Sequence, residues 1–164
     1  MAQHQTLKTI QTAQTPLLQG AIAGFIATVP MTVFMLTTQR FLPKGQRYDL
    51  PPEIITKQLA ARADIRQHMN KSQILAATTA AHFAYGTAMG LLYGPVNKRL
   101  PQPGVVKGIL FGVAIWAVSY LGLLPLMGIL ASAGNEPFRR NLMMIASHVV
   151  WGASMGLVGD MLER

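Results

Sequence analysis

The segments HFAYGTAMGL (82–91) and HVVWGASMGL (148–157) share the same residue at five of ten positions, and each opens on a histidine inside an otherwise apolar run. Counted from His82, the residues Tyr85, Gly86, Met89, Gly90 and Tyr93 return at three, four, seven, eight and eleven, which is one face of an α-helix. His148, Trp151, Gly152, Met155, Gly156 and Gly159 form the matching face. Shared residues of uncommon types at fixed spacing point to internal duplication. The chain therefore reads as a tandem repeat of two helical hairpins, with the second helix of each running in the same direction. The first helices agree less well. GAIAG (20–24) echoes GILFG (108–112), but Pro30 and Pro125 do not share a register.

Hydrophobic residues make up 51% of the chain and charged residues 12%, well below the share of about a quarter that soluble domains carry. The charges leave four long gaps. Lys8 to Arg40 encloses 31 uncharged residues, Lys71 to Lys98 26, Lys107 to Glu136 28, and Arg140 to Asp160 19. A helix needs roughly 20 residues to cross the hydrocarbon of a bilayer. The expectation is an all-α transmembrane four-helix bundle with spans at about 17–38, 74–95, 105–132 and 142–161, forming a single domain over 17–164. The polar tail 1–16 lacks the apolar core and cleavage site of a secretory signal, so the first span should be retained. Pro16 suits a helix start. The chain has no cysteine, which excludes disulfides, thiolate metal sites and covalent c-type haem.

A net charge of +8 does not point to nucleic acid, because the bases flank the apolar segments instead of gathering on one basic domain. They read as anchors facing anionic headgroups, making the lipid bilayer the main partner. Nine bases fall in the loop 39–73 and the turn before the fourth span; the other five lie at the opposite side. That bias places the long loop in the cytoplasm, while the short basic turn 97–107 pulls the other way. Within the loop, PPEIITKQLAARADI sets Ile54, Ile55, Leu59 and Ala63 against Lys57, Arg62 and Arg66. Two placements are open for this amphipathic segment: on the membrane surface, or packed over the end of the bundle.

Small residues four apart let helix backbones approach closely in lipid. Gly20, Gly24, Gly86, Gly90, Gly94, Gly108, Gly112, Gly152 and Gly156 are the expected helix-packing residues, and the same faces could pair between chains in a homo-oligomer or with other membrane proteins. His82 and His148 share the glycine faces, which places both in helix interfaces at similar depths. Three roles are open: a structural hydrogen bond, a polar pocket for solute or proton passage, or metal binding or axial ligation of one b-type haem as the alternative to no cofactor. His4 and His68 read as solvated. Pro30 and Pro125 are expected helix kinks, with Thr28 and Thr32 placed to satisfy the groups that Pro30 frees. Trp116 and Tyr120, four apart, read as packing.

The expectation is that the protein is not an enzyme. No acidic residue falls inside a span, no paired carboxylates share a face, the HExxH and phosphate-loop patterns are absent, and GASMG (152–156), although it matches the GxSxG letters, lies within a helix and lacks the strand-to-helix turn that motif needs. GAIAGFIATVPMT (20–32), YDLPPEIITKQL (48–59), AAHFAYGTAMGLLYG (80–94), VSYLGLLPLMGIL (118–130) and RRNLMMIASHVVWGASMGLVGD (139–160) together resemble a group of small bacterial inner-membrane proteins related more distantly to the YagU-like family. The resemblance implies a multi-pass protein of the bacterial inner membrane and brings no activity, cofactor or catalytic residue with it. The expected role is a structural, regulatory or assembly subunit of the membrane. The alternatives are a small-solute or proton transport protein and a bis-histidine haem protein.

Overall fold

The helices meet where the glycines are. The computed structural model describes residues 2–163, with side chains from Thr15 onward, and every regular element among them is helical. They are α1 (Ala2–Thr38), α2 (Pro51–Arg62), α3 (Lys71–Arg99), α4 (Gly104–Ala117), α5 (Leu124–Leu126) and α6 (Phe138–Leu162). A π-helical stretch, Val118–Leu123, joins α4 to α5 in one continuous rod. Local chemistry sets several boundaries. Asn70 and Gln73 form a reciprocal capping box at the start of α3. Pro51 opens α2, where a missing N–H costs nothing. Gly128 adopts a left-handed φ of 64° and stops the rod, so the third apolar helix ends at Leu126 and not at Ser132 as its composition suggested.

At the other end of the chain, α1 extends back through the segment read as a tail, and Pro16 lies inside it. The side chains of His4, Lys8 and Arg164, read above as solvated or interfacial, lie outside the described residues.

Three helices are long and apolar enough to cross a membrane: Thr15–Phe41, Gly104–Leu126 and Phe138–Leu162. Helix α3 has the length, but Thr78, Thr79, His82, Tyr85 and Thr87 dilute its apolar character. The outer faces carry Leu18, Phe25, Val33, Leu75, Leu110, Val118 and Leu157, all exposed. Apolar surface on this scale is what a hydrocarbon solvent accepts and water does not.

Helix α1 lies antiparallel to α3, and α4 lies antiparallel to α6. In the first pair, a Cβ added to Gly20 or Gly24 would collide with the carbonyl of Gly90 or Gly86, and one added to Gly94 would strike that of Pro16. In the second, Gly108 opposes the Gly152 carbonyl, Gly112 that of His148, and Gly156 that of Gly104. The ladder Gly20, Gly24, Thr28 on α1 thus faces α3 as the ladder Gly104, Gly108, Gly112 on α4 faces α6. Matching GAIAG with GILFG is therefore off by one turn: Gly20 corresponds to Gly104 and Gly24 to Gly108. The two pairs join through α1 and α6, where the Trp151 indole N–H donates to the Gly24 carbonyl at 3.4 Å and the Gln19 amide to the Leu162 carbonyl at 2.7 Å.

The prolines act differently from each other. Helix α1 passes through Pro30 unbroken. Thr28 donates to the Gly24 carbonyl and Thr32 to that of Thr28, so neither serves the Ile26 carbonyl that Pro30 leaves without its usual donor. Pro125 comes one residue after the π-helical stretch, whose wide turn lies where its ring would otherwise press on the preceding turn.

Candidate ligand cavity between α3 and α4

Helices α3, α4 and α6 converge at one end of the bundle and part at the other. At the closed end, Tyr93 is fully buried (0% exposed); its hydroxyl donates toward Asn97 Oδ1 at 2.9 Å and the Gly104 carbonyl at 3.1 Å. Tyr93 also packs against the bare face of Gly159, the residue at the matching place in the other decamer's helix. Only one of the two positions can hold a ring. Asn97 donates to Glu163 at 2.9 Å, Gly104 N–H to Asp160 at 3.1 Å, and the Lys107 ammonium to the Asn97 carbonyl at 2.7 Å. Lys107 is only 7% exposed; it caps the end of α3 and does not face headgroups. Phe111 stacks between Tyr93 and Trp151, with ring centroids 5.4 and 6.3 Å away, and fills the bundle above this polar group.

Beyond Trp151 the helices leave a cavity of about 340 Å³. Met31 and Met35 of α1, His82 and Tyr85 of α3, Ile115 and Tyr120 of the rod, and Met144, His148 and Trp151 of α6 line it. The wall is mostly apolar with a few convergent polar groups, as ligand sites usually are, and its size is near the lower end of the usual range. Ser119 and Tyr120, adjacent in the π-helical stretch, both line the cavity. Between α3 and the rod, the Tyr85 hydroxyl and Ser119 Oγ share a hydrogen bond of 3.1 Å.

The two histidines lie on one cavity wall in different states. His148 is 5% exposed, its Nδ1–H donates to the Met144 carbonyl at 2.8 Å, and its ring meets that of Tyr120 edge-on at 5.7 Å. His82 is half-buried, touches Phe83, and makes no hydrogen bond among the described residues. Its place is the cavity and not the α1–α3 seam. Among the described residues no group of three His, Asp or Glu side chains has the arrangement to hold a metal ion.

Helix α2 covers the open end, so of the two placements left by the sequence the chain takes the one over the bundle. Pro52, Ile55, Thr56 and Leu59 face the cavity. Three groups hold it, two against other elements and one, Lys57, within α2 and the residues just before it. Arg62 donates to the carbonyls of Met127 and Gly128 at 2.6 and 3.2 Å. Lys57 pairs with Asp49 at 2.5 Å and Glu53 at 2.6 Å, and these two carboxylates, Asp49 first, hold its ammonium pKa above the ordinary lysine value. Arg140 is the third. Read from the sequence as a flanking charge, it is 2% exposed, donates to the carbonyls of Gln46, Tyr48 and Asp49, pairs with Glu136 at 3.5 Å and lies 3.6 Å over the Tyr48 ring. Burial first, then its hydrogen bond to Glu136, raises the Tyr48 phenol above its ordinary pKa.

An all-helical architecture with three membrane-length apolar helices and a lipid-compatible outer face is that of a membrane protein. The sequence profile of one family matches residues 32–157, a stretch that takes in α2, α3, the rod, most of α6 and the cavity wall apart from Thr28 and Met31. The chain belongs to that family, described as "Protein of unknown function (DUF1440)". No curated protein and no solved structure matches it.

Proposed function

We propose that this chain is a multi-pass protein of the bacterial inner membrane, YagU-like, with four spans (α1, α3, the α4–α5 rod and α6) built as a twofold repeat, and that it holds a small, mostly apolar solute between α3 and α4. The observation that carries the reading is the cavity of about 340 Å³ with both repeated histidines on its wall. A purely structural or assembly subunit has no need of such a space, and close packing would fill it. Proton conduction is less well supported. No carboxylate lines the cavity, and the rings of Tyr93, Phe111 and Trp151 separate it from the polar group at Asn97 and Lys107.

Native mass spectrometry of the protein released from nanodiscs tests this reading. The expected result is a bound small molecule that is lost when Met31→Trp fills the cavity. Protein of bare mass in both samples would return the chain to the structural class. An absorbance spectrum of the same sample addresses the haem alternative: a Soret band abolished by replacing either His82 or His148 would replace the solute with b-type haem.

A further inference from the structure

Resting on that cavity, we infer that its occupant is a lipophilic molecule with a single hydroxyl head, a phenol or similar ring alcohol, which enters from the bilayer and donates to Nε2 of His148. The argument starts from the hydrogen-bonding valence left over on the wall. A carbonyl can only accept, so the bond from His148 Nδ1 to Met144 fixes the ring's proton at Nδ1. No carboxylate lines the cavity to balance an imidazolium, which leaves Nε2 a bare acceptor without a partner among the described residues. Thr28 and Thr56 spend their hydroxyl protons on the carbonyls of Gly24 and Pro52, and Tyr85 and Ser119 share one hydrogen bond, which engages one of their two protons. His82 and the Tyr120 hydroxyl are the other unbonded polar groups on this wall, and neither is committed as an acceptor by a bond elsewhere. A ligand that brings one donor therefore matches His148, while a carboxylate or phosphate would enter without a cation to meet it: Arg62, Lys57 and Arg140 lie outside the lining and are engaged.

Shape and access select the rest of the molecule. Flat surfaces from Tyr120 and Trp151, with Met31, Met35 and Met144 around them, favour a ring. Helix α2 and its attachments close the aqueous end, and the aromatic stack closes the other. The side between α3 and the rod is spanned by the Tyr85–Ser119 hydrogen bond, with Tyr85 itself 44% exposed on the outer face. That side faces hydrocarbon, so the way in suits a solute already partitioned into lipid.

The test uses the full chain in nanodiscs with Trp116→Phe, leaving Trp151 on the cavity wall as the fluorescent reporter. Two probes of matched size are titrated, 2-bromo-4-butylphenol and its methyl ether, with heavy-atom quenching as the readout. The expected result is quenching by both and a dissociation constant about fivefold lower for the phenol, the size of one net hydrogen bond. His148→Phe should abolish that preference while His82→Phe keeps it. Equal affinity of the two probes for the unsubstituted histidines would overturn the inference and leave the cavity reading intact. Absence of quenching by either would overturn both. The wild-type comparison stands without the variants, so misfolding of His148→Phe does not protect the inference.

Discussion

The two glycine seams make the same antiparallel contact and part company at one rung. Where α4 has Gly112, α1 has Thr28. Without a side chain at Gly112, the backbones of α4 and α6 stay close as far as the His148 carbonyl, and His148 is drawn in and bonded to its own helix. Thr28 sets its hydroxyl and Cβ against Gly86, and on that side His82 remains half-buried on the cavity wall. Tyr85 and Trp151 differ in the same sense: the indole reaches into the core to the Gly24 carbonyl, and the phenol turns outward to Ser119. Of two residues alike in their sequence setting, each takes its role from the residue across its seam.

Exchanging the rungs should break this comparison most severely. Gly112→Thr forces a branched side chain onto the His148 carbonyl and should cost about 3 kcal/mol, the upper part of the usual range for overpacking. Unfolding in mild detergent followed by far-ultraviolet circular dichroism measures it, with the open Gly45→Ala as a control that leaves stability unchanged. Next in size is Arg140→Met, which strips three loop carbonyls and Glu136 of their donor and should cost about 2 kcal/mol. Trypsin should then cut after Arg47 several times faster than in the parent, and an unchanged rate would mean that Arg140 does not hold α2 in place.

The reverse exchange, Thr28→Gly, should cost only about 1 kcal/mol, close to the helix penalty of glycine. It should also make His82 less accessible to diethyl pyrocarbonate, as the first seam comes to resemble the second. The smallest effect is electrostatic. The raised Lys57 pKa means that its pairing stabilises α2 below the ordinary lysine value near 10.5, and the contribution is lost as pH rises through the higher folded value. Since the chain has no cysteine, a single spin label at exposed Gln58 reports α2 alone. Its mobility should increase at that alkaline boundary, and Lys57→Ala, worth about 0.5 kcal/mol as an exposed pair, should remove the step.

The helical fold and the seams were legible because each rests on spacing: charge-free intervals of helix length, and glycines four apart. The alignment of the first helices was misread because GAIAG and GILFG are alike in letters, whereas contact pairs Gly20 with the level of Gly104. Length also misled at the third apolar segment, where composition runs on to Ser132 but Gly128 turns left-handed. The cavity was out of reach, since it depends on how far α3 stands from the rod, and no periodicity encodes a gap. Lys107 and Arg140 were taken for membrane anchors because a base beside an apolar run reads that way. Burial arises only when another segment, the adjoining turn at Leu100 in one case and the distant 46–49 in the other, folds back to lend its carbonyls.

The π-helical stretch before Pro125 also bears on sequence length. A π turn is an α-helix that has taken in one extra residue, and shedding any residue between Val118 and Leu123 would return the rod to regular winding. Everything downstream would then keep its orientation, leaving Leu124 and Met127 on the cavity wall. Relatives one residue shorter between Val118 and Leu123 should therefore run as regular α-helix and keep the same wall, whereas a chain that loses a residue from the regular winding of α4 should turn the wall by about 100° and bind something else or nothing.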